Sequence, residues 1–239
     1  MTRADPSPGL HVSWREHGAN LALAASALRY VPRVPRAMLE DLIPGTRDLE
    51  ITIRHELQAR SLPHGEAFVL SLIVACLRPR RVFEIGTGSG QTTLLIARQS
   101  PEALIDTLDL GRSTPTLGTQ KGEPPWVDLE TIGAAWRGTD SAARITQHLA
   151  DSASFDYTPF RGGVDLVFVD GAHTYEYVKS DSRAALEIVA PGGVVVWDDC
   201  NYVCPGVARA LLELRGQGHP VHRIYGTRFA ALRVAAAAA

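Results

Sequence analysis

Six acids and one histidine stand where chemistry could be done: Glu84, Asp109, Asp151, Asp170, Asp198, Asp199 and His173. Glu84 precedes three glycines on alternate positions, Gly86, Gly88 and Gly90, in Arg81-Val-Phe-Glu-Ile-Gly-Thr-Gly-Ser-Gly90. An apolar run, a glycine turn and a helix-like segment from Gln91 onward form the layout of a nucleotide-type cofactor site. Glycine lacks a Cβ, so such a turn can take unusual φ/ψ and admit a ligand close to the backbone. The acid matters as much as the glycines. It would lie where a cofactor phosphate would sit, and phosphate avoids carboxylates. That favours a cofactor with a cationic amino-acid end.

Asp170, Asp198 and Asp199 offer hard oxygen ligands of the kind Mg²⁺ takes in an octahedral shell that keeps some waters. Such a crowd of acids repels itself unless protonated or neutralised by a cation. His173 follows Asp170 by three residues and is the best candidate base. A neutral imidazole near pH 7 can take a proton, particularly from a metal-bound hydroxyl, and neighbouring carboxylates raise its pKa. Other readings stay open. One of the Asp198/Asp199 pair could cap the next loop, and His173 could stand behind a metal or contact a helix start. Tyr175 either lines the site or packs.

These side chains need elements to hold them at one edge. Strands are expected at 82–85, 104–108, 145–149, 164–169 and 194–197, and a closing pair at 221–225 and 228–234 joined by Gly226-Thr227. Helices are expected at 14–30 behind a Ser13 cap, and at 63–77, 91–99, 175–189 and 206–214. Strand–helix alternation with nearly unbroken apolar strands argues for a parallel sheet buried on both faces. An acid follows each of the first five strands. In open α/β sheets the ligand site lies beyond the carboxyl ends of the strands, so the acids should gather along one edge. Bare carboxylates are costly to bury, so core packing does not explain the pattern. The bland alternative is that strand ends border acidic loops.

Composition narrows the class. The 239 residues are 45% apolar, enough for one α/β domain with an N-terminal extension. We divide the chain into a helical extension or lid over 1–60, a cofactor-binding domain over 61–234 and a frayed tail over 235–239; residues 1–12 also read as disordered. With 24 basic and 26 acidic residues, bulk charge gives no sign of a nucleic-acid or membrane partner. The three cysteines, Cys76, Cys200 and Cys204, are too few for a disulfide framework and suit a reducing cytoplasm. Cys200 and Cys204 lack a second pair, so burial rather than zinc is expected. The start of the chain has no apolar signal core, and no apolar run approaches the roughly 20 residues that span a bilayer. Arg29, Arg33 and Arg36 read as a solvated face, and His219 and His222 as surface residues. The N-terminal segment is the expected element of a homodimer. The insertion at 111–138 reads as a loop and a possible substrate lid, with Trp126 and Trp136 covering substrate or anchoring it.

The Glu84-x-Gly86-x-Gly88-x-Gly90 motif, Asp109, the closing hairpin and the strand-end acids resemble a class I S-adenosylmethionine-dependent methyltransferase over about residues 60–234. Val164-Asp-Leu-Val-Phe-Val-Asp-Gly-Ala-His-Thr-Tyr175 with Val194-Val-Val-Trp-Asp-Asp199 resembles the small-molecule O-methyltransferases, catechol type and macrocin-like, which use Mg²⁺. The resemblance implies a Rossmann-like, seven-stranded, mostly parallel sheet in the order 3-2-1-4-5-7-6, with strand seven antiparallel. It implies Gly86, Thr87, Gly88 and Gly90 around the methionyl end, Glu84 near its ammonium and Thr92 near its carboxylate. Asp109 with Leu110 would meet the ribose, Asp151 with Ser152 the adenine, and Asp170 would border the cofactor. Asp109 also reads as a turn residue, and Asp151-Ser-Ala-Ser as a helix cap. The catechol group has Asn where Asp199 stands and a lysine base at the offset of His173. The macrolide-sugar group has an acid at the former position, which leans the reading that way. The function implied is Mg²⁺-assisted methylation of a small-molecule hydroxyl of natural-product, sugar or phenolic type. The rivals are a metal-independent methyltransferase with His173 as base, a nicotinamide-dependent oxidoreductase, and a non-catalytic cofactor-binding protein.

Overall fold

The computed structural model describes residues 14–53, 62–110 and 131–236, with side chains from residue 22 onward. Ser13, the segment 1–12, Trp126, the first twenty residues of the expected lid and residues 237–239 lie outside them.

In chain order the elements are α1 (Trp14–Tyr30), β1 (Arg36–Ala37), α2 (Leu39–Leu42), α3 (His64–Leu77), β2 (Arg81–Ile85), α4 (Gln91–Gln99) and β3 (Leu104–Asp109). Then come β4 (Ile145–Leu149), β5 (Val164–Val169), α5 (Tyr175–Ile188), β6 (Val189–Trp197), α6 (Pro205–Gly216), β7 (His222–Ile224) and β8 (Ala230–Arg233). The sheet order is β1-β7-β8-β6-β5-β2-β3-β4. β8 runs antiparallel to both neighbours, and the other pairings are parallel.

This is the expected order with one strand more than the seven predicted. The addition is β1, two residues that pair with β7 at the sheet's edge. It follows Pro35, and a two-residue strand offers no alternation to read.

Successive residues of β5 and β6 go to opposite faces. Val167, Val169, Val195 and Trp197 join the core beneath α5 and α6. Leu166, Phe168, Val194 and Val196 join the core beneath α3 and α4. Both faces are buried, which is why these strands carry no polar alternation. Among the described residues no helix is long and apolar enough to cross a membrane. The cysteines are free, Cys200 buried and Cys76 and Cys204 half-buried.

Candidate active site

The parallel ladder carries the acids to one edge. Val169 pairs with Trp197, so Asp170 and Asp198 come next on adjacent strands. The ladder continues past the strand ends: Asp170 donates its N–H to the Ile85 carbonyl at 2.7 Å, and Asp198 donates to that of Val169 at 3.0 Å. Asp199 follows with φ 55, a left-handed conformation that aspartate tolerates better than most residues. The turn sets its carboxylate beside the other two, and oxygens of all three lie within 4.8 Å of one another.

His173 faces this group from the turn before α5. Its Nε2 lies 3.0 Å from Asp199 Oδ2 and 3.7 Å from Asp170 Oδ1. Neither contact lies along the ring N–H, so Nε2 has ion-pair neighbours but no aligned hydrogen bond. Burial pushes the His173 pKa down, but the two carboxylates outweigh it and raise it to about 10. Asp198 is pushed well above the carboxylate range by burial and by Asp170 and Asp199. Burial also raises Asp170. Asp199 falls below its ordinary value because His173 and Arg228 outweigh its burial.

Arg228 is a residue that sequence reasoning missed. From the β7–β8 hairpin its guanidinium reaches Asp198 Oδ2 through Nη2 and Asp199 Oδ1 through Nη1, both at 3.2 Å. Glu66 of α3 steadies it, accepting the Arg228 backbone N–H at 3.3 Å. Four carboxylates therefore face one guanidinium and one imidazole. Counted as fully ionised, with His173 protonated, the group has a formal excess of two negative charges, which the raised Asp198 and Asp170 reduce by holding their protons more tightly. Three converging hard-oxygen ligands with that excess fit a divalent cation, although Arg228 already engages two of them.

The glycine turn stands beside this group. Gly86, Gly88 and Gly90 have φ 98, 51 and 82. The space left by the missing Cβ of Gly86 and Gly90 is taken by protein rather than left for a ligand. A Cβ on Gly86 would lie 2.0 Å from the Asp170 carbonyl oxygen, and one on Gly90 would lie 2.6 Å from the Trp136 ring. Gly133 N–H donates to Gly88 O and Ala135 N–H to Ser89 O, so Trp136 anchors its loop on the turn.

Glu84, Thr107 and Gln147 occupy one row across β2, β3 and β4. Thr107 and Thr93 donate their hydroxyls to Glu84 Oε2 at 2.5 Å, while Gln147 Nε2 donates to Thr87 Oγ1 at 2.9 Å. Thr87 and Thr107 hydroxyls lie 2.7 Å apart and close the chain. Glu84 is fully buried, which raises its pKa to about 8 against the pull of the threonines. Among the described residues its Oε1 has no partner. A buried carboxylate oxygen left open beside a glycine turn fits an ammonium-bearing cofactor. Thr93 faces Glu84, and Thr92, expected near the cofactor's carboxylate, is half-buried one residue before it.

Asp109 ends β3 and accepts the N–H of Gly88 at 2.8 Å and of Leu110 at 2.7 Å, with Leu110 exposed beside it. Burial nonetheless raises its pKa. Asp151 lies nearly buried after β4, where one oxygen accepts the Ala153 N–H at 3.0 Å and the other the Tyr177 hydroxyl at 3.2 Å. Ser152 stands beside it, near Asp181 of α5, a fully buried carboxylate with no aligned hydrogen bond.

A central strand pair reversing outward on both sides, a glycine turn after the first central strand, and acids on the strand ends define the class I methyltransferase architecture. Residues 83–200 match the family described as a methyltransferase domain. Catechol O-methyltransferase B of Danio rerio is 28% identical over an alignment of 171 residues that covers 68% of this chain and 57% of that protein. The chain thus spans little more than half of that relative's length.

The O-methyltransferase TomG of Streptomyces achromogenes, involved in tomaymycin synthesis and solved in complex with SAM, superposes with TM-score 0.55 at 20% identity, covering 93% of this chain and 100% of that one. An O-methyltransferase of Bacillus cereus solved in complex with SAH superposes with TM-score 0.54 at 14% identity, covering 94% and 93%. These two likenesses speak to the fold. Together with the domain match over residues 83–200 they support reading the chain as a class I S-adenosylmethionine-dependent methyltransferase.

Proposed function

We propose that the protein is an S-adenosylmethionine-dependent O-methyltransferase acting on a hydroxyl of a small molecule, with a divalent cation, Mg²⁺, held by Asp170, Asp198 and Asp199. The observation that carries this reading is the convergence of His173 Nε2 and three strand-end carboxylates beside the glycine turn. The methyl donor, when bound, supplies an electrophilic methyl group, and the cation lowers the pKa of an oxygen it touches.

The chain's own residues do the rest. Glu84, through its unpartnered Oε1, is the partner for the donor's ammonium, and the Gly86–Gly90 turn with Thr87 and Thr92 borders that end. Asp109 and Leu110 border the ribose, and Asp151 with Ser152 the adenine. His173 receives the acceptor's proton at Nε2, and Asp170 and Asp199 on either side stabilise the imidazolium that results. A dication on the carboxylates would offset the field that holds His173 protonated and free Nε2 for that role. Methyl transfer is an in-line displacement, so holding donor and acceptor in line supplies much of the rate. We assign this activity to residues 61–234, with 1–60 as an extension. The free cysteines support a cytoplasmic setting, and the exposed Leu23 and Leu28 of α1 support a homodimer.

One observation favours a second reading. Arg228 supplies a resident positive charge to Asp198 and Asp199, as a metal-independent methyltransferase with His173 alone as base would need. Release of S-adenosylhomocysteine from phenolic, catechol and sugar acceptors, with Mg²⁺ and with EDTA, decides between them. The metal reading expects loss of turnover in EDTA and in Asp198→Ala. Turnover that survives both supports the metal-independent reading. Tight NADH binding without affinity for S-adenosylmethionine would overturn the methyltransferase reading itself.

A further inference from the structure

A second trio of donor atoms shares Asp199. His173 nitrogen, an Asp199 oxygen and Cys204 Sγ lie within 4.8 Å of one another, each on a half-buried residue. The packing that brings them together is specific. Asn201 Oδ1 accepts the N–H of Val203 at 2.7 Å and of Cys204 at 3.0 Å, which turns the chain into α6. The start of α6 then packs on the histidine's own backbone, because a Cβ on Gly206 would lie 2.5 Å from the His173 carbonyl oxygen. Cys204 is thus delivered to the imidazole from the element that follows Asp199, and His173 from the element that follows Asp170.

Two features point to an ion there. The His173 Nε2 lies within 3.0 Å of an Asp199 oxygen without an aligned hydrogen bond. Nitrogen and oxygen side by side and not directed at each other are placed as two ligands of one ion are. The donor set is also of a different kind from the three aspartates. One nitrogen, one oxygen and one sulfur suit a borderline-soft ion in tetrahedral coordination, with the fourth position open, whereas Mg²⁺ avoids sulfur.

We propose that His173, Asp199 and Cys204 form a binding site for Zn²⁺ or an ion of similar softness. Filling it forms N–metal, O–metal and S–metal bonds. The protons displaced from the thiol and the imidazole pass to solvent, and no electron is transferred. On the proposed function, occupancy takes the lone pair of the candidate base and one ligand of the hard-ion site, so zinc inhibits methyl transfer. That consequence rests on the proposed function; the site itself does not.

Co²⁺ is the probe, because a cysteine thiolate bound to it gives a near-ultraviolet charge-transfer band. The full chain is titrated with Co²⁺, and Zn²⁺ is then added. The expected result is a band in the natural protein that Zn²⁺ abolishes and that Cys204→Ser lacks. The conservative variant should keep its circular dichroism and melting temperature, and one that does not is replaced by Cys204→Ala under the same readout. No band, or a band that persists without Cys204, overturns the site. In turnover assays with Mg²⁺ present, Cys204→Ser should need roughly tenfold or more Zn²⁺ for half-inhibition. An unchanged zinc sensitivity overturns the inhibitory role. The cobalt band needs no catalysis, so failure of the site and failure of the methyltransferase reading are told apart.

Discussion

Arg228 Nη2 stands 3.2 Å from Asp198 Oδ2, and that contact sets the charge balance of the strand-end acids. Asp198 is almost fully buried, while Arg228 keeps about a third of its side chain exposed. A cation that approaches the carboxylates meets a guanidinium already there. Arg228→Met removes that competitor, so affinity for Mn²⁺, used as a paramagnetic stand-in for Mg²⁺, should rise by roughly tenfold. The same change leaves Asp198 buried without its ion pair, so the metal-free protein should lose about 2 kcal/mol. Electron paramagnetic resonance titration and urea unfolding check the two arms. Weaker Mn²⁺ binding in the variant would mean that Arg228 organises the acids instead of competing for them.

The sequence made one part of this arrangement legible and hid the other. Once strand ends are found, a parallel ladder aligns them, so Asp170 and Asp198 could be set side by side without coordinates. Arg228 could not, because it sits 30 residues from Asp198 in a hairpin, where an arginine reads as solvated. Thr107 and Gln147 were hidden for a related reason. Alternation shows which residues share a face within a strand, but the register between strands decides which of them meet Glu84. The glycines were legible as turn residues, yet the groups filling their missing Cβ positions, Asp170 and Trp136, come from distant parts of the chain. The partners of the Asp151 oxygens, the Ala153 N–H and the Tyr177 hydroxyl, were hidden in the same way.

Glu84 carries a pH dependence of defined sign. Its folded value of about 8 stands above the 4.5 of an ordinary glutamate. The stabilising proton therefore contributes fully below pH 4.5, and that contribution is lost as pH rises through about 8. Asp181, raised to about 7 by burial, acts in the same direction. Urea unfolding of the ligand-free protein should show stability falling by on the order of 5 kcal/mol between about pH 5 and 9. Glu84→Gln should flatten part of that fall and weaken S-adenosylmethionine binding, because an amide cannot pair with an ammonium as a carboxylate does. A profile that is identical in the variant would remove Glu84 as the source.

Two glycines in α6 should respond oppositely to alanine. Gly206 packs against the turn that carries His173, with no room for a Cβ, whereas Gly216 faces open space. Gly206→Ala should cost about 2 kcal/mol by overpacking and lower turnover by displacing His173. Gly216→Ala should be neutral or gain a few tenths of a kcal/mol, with turnover unchanged. Thermal melts and steady-state rates test the pair. Equal effects at both positions would show that helix propensity, and not the contact with the His173 carbonyl, governs the site.

Trp136 backs the cofactor turn, and its indole separates two contributions. The ring fills the space left by Gly90 and Gly133, while its buried Nε1–H has no hydrogen-bond partner among the described residues. Trp136→Ala removes the ring and should cost about 3–4 kcal/mol. The unsupported turn should also bind S-adenosylmethionine more weakly. Trp136→Phe keeps most of the apolar surface and gives up an N–H that makes no bond, so it should cost about 1 kcal/mol or less. A large loss of S-adenosylmethionine affinity in Trp136→Phe, with ligand-free unfolding unchanged, would mean that the indole N–H gains a partner only when ligand is bound. Calorimetry checks this, because such a loss would appear in the binding enthalpy.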